Sequence, residues 1–281
     1  MSETSDETLT SPAIKQTDFD QITTLVSKEF RIEEALLEHN VPTYRLTQPQ
    51  ETKKAFLRLL KNLESMNLVA FLRRVDGRLT LKIVLKPSVK PSNIMLNWIL
   101  LFATIGTTFL TGYLISLEII DPFIGGATFT IAMLAVLGTH EMGHKITANK
   151  KGIEATLPYF IPGPPPYGTF GAVIMQKSLP PNKDALFDVG ANGPIVGFAV
   201  GVVATIIGLP FSIYGWVPSG TPTLPVPMLF RLIAPFMSPP FETVPSSPGP
   251  GYILVIMLHP VAVAGWVGLV ITMLNLLPAG M

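Results

Sequence analysis

Two of the chain's four histidines, at positions 39, 140, 144 and 259, fall four residues apart in His140-Glu141-Met142-Gly143-His144. On an α-helix that spacing puts both imidazoles on one face about one turn apart, where they can reach a single Zn²⁺. Glu141 is rotated about 100° from His140 at 3.6 residues per turn, so it can address a metal-bound water without being a ligand itself. The pattern also occurs by chance in chains that bind no metal, so its setting decides how it is read.

That setting is apolar. Phe123 to Thr139 carries no charge and runs straight into the motif. A bare carboxylate in a bilayer span costs about 2.5–3.5 kcal/mol on insertion scales, so Glu141 needs a cation or a water-filled cavity beside it. A bound zinc meets that need. His39, in Ala35-Leu-Leu-Glu-His-Asn40, sits at an expected helix end and reads as a surface residue with no function. The absence of cysteine excludes disulfides and thiolate ligands and leaves histidine and carboxylate for any metal.

The elements that must position this motif divide into two kinds. Hydrophobic residues make up 48% of the chain and charged ones 14%, with a mean hydropathy of +0.45, a balance that fits a polytopic membrane protein. Charge concentrates in the first 90 residues, and from Val189 to Met281 only Arg231 and Glu242 are charged. A net charge of +1 gives no reason to expect nucleic acid as a partner. The expected fold class is therefore a polytopic α-helical membrane protein of about four spans with a small N-terminal α+β cytosolic domain. Its expected domains are a disordered tail at 1–16, a soluble domain at 17–90 and a membrane-embedded core at 91–281.

Within the soluble part, Glu51 to Met66 places Ala55, Phe56, Leu59, Leu60 and Leu63 at amphipathic-helix spacing. Val69–Val75 and Arg78–Leu85 flank Asp76-Gly77, a two-residue hairpin signal. The four spans are read as Ile94–Leu117, Phe123–Ala148, Val189–Tyr214 and Gly251–Leu274, each long enough for a core of about 30 Å. Lys82, Lys86 and Lys90 precede the first span, while Lys145, Lys150 and Lys151 flank the end of the second. Basic residues retained inside place the N-terminal domain and the metal end at the cytoplasmic face of a multi-pass integral membrane protein.

Four further segments complete the reading, the last of them without a catalytic signal. Gly193, Gly197 and Gly201 recur every four residues and allow close backbone approach, either beside the motif helix or in ordinary packing. Leu157–Pro166 reads as a proline-rich apolar loop, and Gly168–Gln176 as a short strand that either adds an extended substrate to its edge or belongs to a structural hairpin. Val217–Pro250 holds ten prolines and reads as an irregular interfacial loop.

Taken together, His140-Glu-Met-Gly-His144, Gly168-Thr-Phe-Gly-Ala172, Asn192-Gly-Pro194 and Asn275-Leu-Leu-Pro-Ala-Gly280 resemble the site-2 protease family of intramembrane zinc metalloproteases, its archaeal and plastid-type branch above all, over roughly Ile94 to Met281. The resemblance implies that His140 and His144 are the metal ligands, that Zn²⁺ is the cofactor, and that Glu141 is the general base and acid. It also implies that Asn275 lies near the metal, and that the partner is a membrane-protein substrate cut within or near a transmembrane helix. Family members continue the last motif into an Asp-Gly pair whose aspartate is the third ligand. This chain stops about two residues short, at Met281, so the expectation is a chain incomplete at its C-terminus and inactive in that form. Two other classes stay open: a silent homologue that binds membrane proteins, and a metal or proton transporter, against which the lack of inverted repeats speaks. The oligomeric state is not legible.

Overall fold

The computed structural model describes residues 16–87, 91–240 and 243–276. The chain divides into two compact units, Met1–Val89 and Lys90–Met281.

The first unit is a small α+β domain with the order α1 (Gln16–Glu29), β1 (Ile32–Glu38), β2 (Val41–Leu46), α2 (Lys53–Glu64), β3 (Leu68–Val75) and β4 (Arg78–Leu85). Its antiparallel sheet has the strand order β1-β2-β4-β3. Asp76 and Gly77 both take positive φ, 49° and 77°, as a tight hairpin turn between right-twisted strands requires. His39 and Asn40 do the same at 51° and 63°, which corrects the expectation of a helix end around His39: that segment is β1 and a second hairpin turn. Histidine and asparagine both tolerate the left-handed region, and the alternating burial of Ile32–Glu38 is that of an edge strand. One sheet face packs on both helices. Ala55, Leu59 and Leu63, four residues apart on α2, meet Ile22 and Val26 of α1 and Tyr44, Leu81 and Ile83 of the sheet.

The second unit is mainly helical. It runs through α3 (Ile94–Ile115), α4 (Pro122–Lys150), a hairpin of β5 (Tyr159–Pro162) and β6 (Thr169–Val173), and α5 (Lys183–Gly208) with a 3₁₀ turn at Leu209–Phe211. β7 (Ile213–Pro218), α6 (Met228–Met237), β8 (Tyr252–Met257) and α7 (Pro260–Leu276) complete it. Three helices, at 94–115, 122–150 and 183–211, are long and apolar enough to cross a membrane. Each starts at a side-chain cap: Asn93 accepts from the Leu96 N–H, Asp121 from those of Phe123 and Ile124, and Asn182 from that of Ala185. Several of their buried hydroxyls turn back on their own helix, as Thr108 to Thr104 O at 2.6 Å and Thr205 to Gly201 O at 2.8 Å, which satisfies these groups without an outside partner.

Two of the expected spans and one expected loop differ. Helix α5 begins six residues before Val189, because Asn182 caps it and its first turns carry Asp184 and Asp188 without interruption. The expected fourth span is part strand: Tyr252–Met257 pairs with Ile213–Pro218, and helix begins only at Pro260. An apolar run of that length does not by itself tell strand from helix, and the proline fixes where the helix can begin. The segment 217–250, expected to be irregular, holds α6.

Candidate metal centre

Helix α4 carries the histidine pair, and the neighbouring helices bring the rest. His140 and Glu141 are buried, and one ligand atom from each of His140, Glu141 and His144 falls within 4.8 Å of the others. The Nε2 atoms of the two histidines are 3.3 Å apart. His144 Nδ1 is 2.7 Å from the carbonyl oxygen of Val189 on α5. A carbonyl only accepts, so Nδ1 bears the proton and donates it, and the Nε2 lone pair of His144 is bare and turned toward His140. Two ring nitrogens facing each other with a carboxylate alongside form a donor set that suits a divalent cation, and the carbonyl at the far nitrogen is the usual orienting partner of a histidine ligand.

The space around the rings is made by glycine. A Cβ on Gly193 would lie 2.1 Å from His144 Nε2, and one on Gly197 2.6 Å from His140 Nδ1. From the other side, a Cβ on Gly143 would lie 2.9 Å from Asn192 O. Helices α4 and α5 thus approach at backbone distance where the imidazoles stand. Gly201 is different: its nearest neighbours, at 3.5 Å and beyond, belong to Gly265, Gly268 and Leu269 of α7. Of the three glycines at four-residue spacing, two make room for the histidines and the third serves helix packing.

Asn275, in the last turn of α7, places its side-chain nitrogen 3.0 Å from His140 Nε2, so the end of α7 borders the same spot. Pro278 and Gly280 of the terminal motif lie outside the described residues. The backbone amide of Ile174, just past β6, faces the Glu141 carboxylate. The expectation of a loop followed by a strand becomes a hairpin, β5 pairing with β6. α3 and α4 hold this hairpin in place. Asn97 donates to the carbonyls of Leu157 and Pro158 at 3.2 and 2.9 Å, Thr107 to Gly168 O at 2.7 Å, and Lys145 to Ala155 O at 2.8 Å. Asn192 donates to Thr147 Oγ1, a second tie between α4 and α5.

The other two histidines stand apart. His39 is exposed in the first unit. His259 precedes α7, and its Nδ1 accepts from the Val261 N–H at 3.3 Å, a capping role at the end of α7 remote from Asn275. The Val189 carbonyl and the Ile174 amide left no trace in the sequence, because a backbone group carries no residue signature. Asn192 was visible only as part of Asn192-Gly-Pro194.

Residues 128–281, just over half of the chain, match the model of peptidase family M50. The probable zinc metalloprotease EGY1, chloroplastic, of Oryza sativa subsp. japonica is 32% identical over 169 residues, covering 58% of this chain and 28% of that protein. Its namesake in Arabidopsis thaliana is 32% identical over 171 residues, with 58% and 29% covered. A zinc metalloprotease of Methanocaldococcus jannaschii is 29% identical over 100 residues, with 36% and 27% covered. The chain spans less than a third of the length of these relatives. No solved structure gives a significant match.

Proposed function

The chain belongs to peptidase family M50, and from that premise we propose that it is a membrane-embedded zinc metalloprotease that hydrolyses peptide bonds within or near transmembrane helices of other membrane proteins. The observation that carries the reading is the pair of ring nitrogens 3.3 Å apart, with Glu141 beside them, on a helix apolar and long enough to span a bilayer.

His140 and His144 hold the zinc. Val189 fixes the tautomer and plane of His144, while Gly193 and Gly197 leave the rings the room they need. Bound zinc would supply Lewis acidity and bring the pKa of a water down to about 7. Glu141 takes the proton of the water that attacks the scissile carbonyl and returns it to the leaving amine nitrogen. Asn275, next to His140, steadies the oxyanion or the substrate backbone. Each strand of the β5–β6 hairpin has one edge with no strand partner among the described residues, and β6 ends beside the amide that faces Glu141. An extended substrate segment can add to that edge. The substrate helix must unwind first, because an intact helix hides its carbonyls in its own hydrogen bonds.

In this reading 91–281 is the membrane-embedded core, crossed by α3, α4 and α5 with α7 completing the bundle, and 17–90 is a soluble domain; of the tail expected at 1–16, residues 1–15 lie outside the described residues and Gln16 already begins α1. Lys82, Lys86 and Lys90 before the first span, and Lys150 and Lys151 after the second, put the N-terminal domain and the metal end on the cytoplasmic side. The test is cleavage of a helical reporter by protein expressed from the full gene and reconstituted in vesicles. Glu141→Gln is expected to keep its metal and lose cleavage. A Glu141→Gln protein that cuts at the parent rate overturns the proposal.

A further inference from the structure

Helix α6 is apolar on both of its faces, and only one of them is occupied. Phe230, with Leu229, Ile233 and Met237, packs into the apolar cluster that also contains Phe129 and Met133 of α4, Leu209, and Val263 to Leu269 of α7. The opposite face carries Met228, Leu232 and Phe236, four residues apart and 77%, 58% and 83% exposed. The segment leading into α6 is pinned by Trp266, six residues into α7, whose Nε1 donates to Pro225 O at 2.8 Å. Six residues are about 9 Å of helix, so α6 lies alongside the bundle rather than beyond its end. α6 contacts the 3₁₀ turn at Leu209–Phe211, which begins 12 residues, or about 18 Å, along the helix from Gly197 beside His140, and this places α6 toward the end of the bundle remote from the metal group.

Two features say what covers the outer face. Exposed apolar side chains continue from it onto the third long helix at Val203, Ile207 and Phe211, again four residues apart. At ten residues α6 is about 15 Å long, half of a hydrocarbon core, so it cannot cross. Its single charge, Arg231, is five residues from Phe236, about 140° away around the helix, and so borders one edge of the exposed apolar arc.

We propose that α6 is an in-plane, half-inserted helix whose Met228, Leu232 and Phe236 face is seated in the acyl chains of the bilayer leaflet opposite the metal centre, with Arg231 reaching back to the headgroups. Apolar side chains on one side and a snorkelling cation at the rim are what such a position selects. By this assignment α6 anchors the remote end of α7, and with it the frame that carries Asn275. The inference rests on the membrane reading above but on none of its chemistry.

A chain without cysteine takes single spin labels with no background. Labels at Met228→Cys, Arg231→Cys, Leu232→Cys and Phe236→Cys, with Ile131→Cys on α4 as the lipid-facing reference, are to be read in phosphatidylcholine vesicles. The readout is relaxation by oxygen against a water-soluble nickel chelate. The expected result is oxygen dominance at 232 and 236, deepest at 236, with the Arg231 position nearest the headgroups. Fluorescence of Phe236→Trp quenched by brominated lipid is expected to agree, and it serves where a label perturbs folding. Nickel dominance at 232 and 236 with Ile131 still lipid-exposed overturns the α6 assignment and leaves the membrane reading intact. Nickel dominance at Ile131 as well overturns both. Low access to both reagents at 232 and 236, with label-to-label broadening between chains, shows that a second copy covers the face and overturns the proposal.

Discussion

Replacing Gly193 by alanine is expected to disable the metal centre while leaving every titratable group in place. The added Cβ would sit 2.1, 2.3 and 2.5 Å from Nε2, Cδ2 and Cε1 of His144. Ordinary contact begins near 3.5 Å, so about 1.4 Å must be found. The ring cannot easily give it, because Nδ1 is held by Val189 O at 2.7 Å. The helices cannot easily part, because Gly143 already meets Asn192 O at backbone distance and Asn192 is bonded to Thr147. Metal-ligand distances tolerate about 0.2 Å, several times less than the displacement required. Zinc affinity is therefore expected to fall by at least the 10–100-fold that disturbing a ligand's support costs, with overpacking taking about 1–3 kcal/mol from stability. Gly201→Ala is the control, since its Cβ would meet nothing closer than 3.5 Å and its metal should be retained. The assay is zinc per chain by elemental analysis, with affinity by competition against a chelating dye on protein shown to be folded. A folded Gly193→Ala protein that binds zinc within twofold of the parent refutes the reasoning.

Leu59, fully buried in the core of the first unit, is expected to cost about 2–5 kcal/mol when cut to alanine, read as a lower unfolding midpoint of that unit with zinc content unchanged. Asn97→Leu strips the donor from the Leu157 and Pro158 carbonyls; at about 1–3 kcal/mol per stranded polar group it should raise amide exchange across residues 157–176, and unchanged exchange would show that the hairpin does not depend on α3. Replacing helix-breaking residues of a substrate by leucine should slow its cleavage, and equal rates would argue against local unwinding as a step.

What the sequence disclosed and what it hid divide along physical lines. The histidine pair and Glu141 were readable because spacing on a helix determines what faces what, whereas Asn275 was implied only by the resemblance of its motif, and the structure brings it to His140. The Asp76-Gly77 hairpin and α2 were readable because one needs residues that accept positive φ and the other shows 3.6-residue periodicity. The turn at His39-Asn40 was not, since neither residue is the usual glycine and a short strand of mixed polarity resembles a helix end. The strand at Tyr252–Met257 was hidden because its apolar run looks like the start of a span until its pairing with β7 is seen. Helix α6 was masked by the prolines around it. For the glycine stripe, spacing announced close approach but not what approached; only the fold sets Gly193 and Gly197 against imidazoles and Gly201 against α7.

The most direct test is the metal content of protein expressed from the full gene, purified and held in lipid nanodiscs. One zinc per chain is expected, lost when His140 and His144 are both replaced by alanine and retained in Glu141→Gln. Protein that is folded yet binds no divalent metal, or a zinc indifferent to the loss of both histidines, would contradict the assignment of His140 and His144 as ligands.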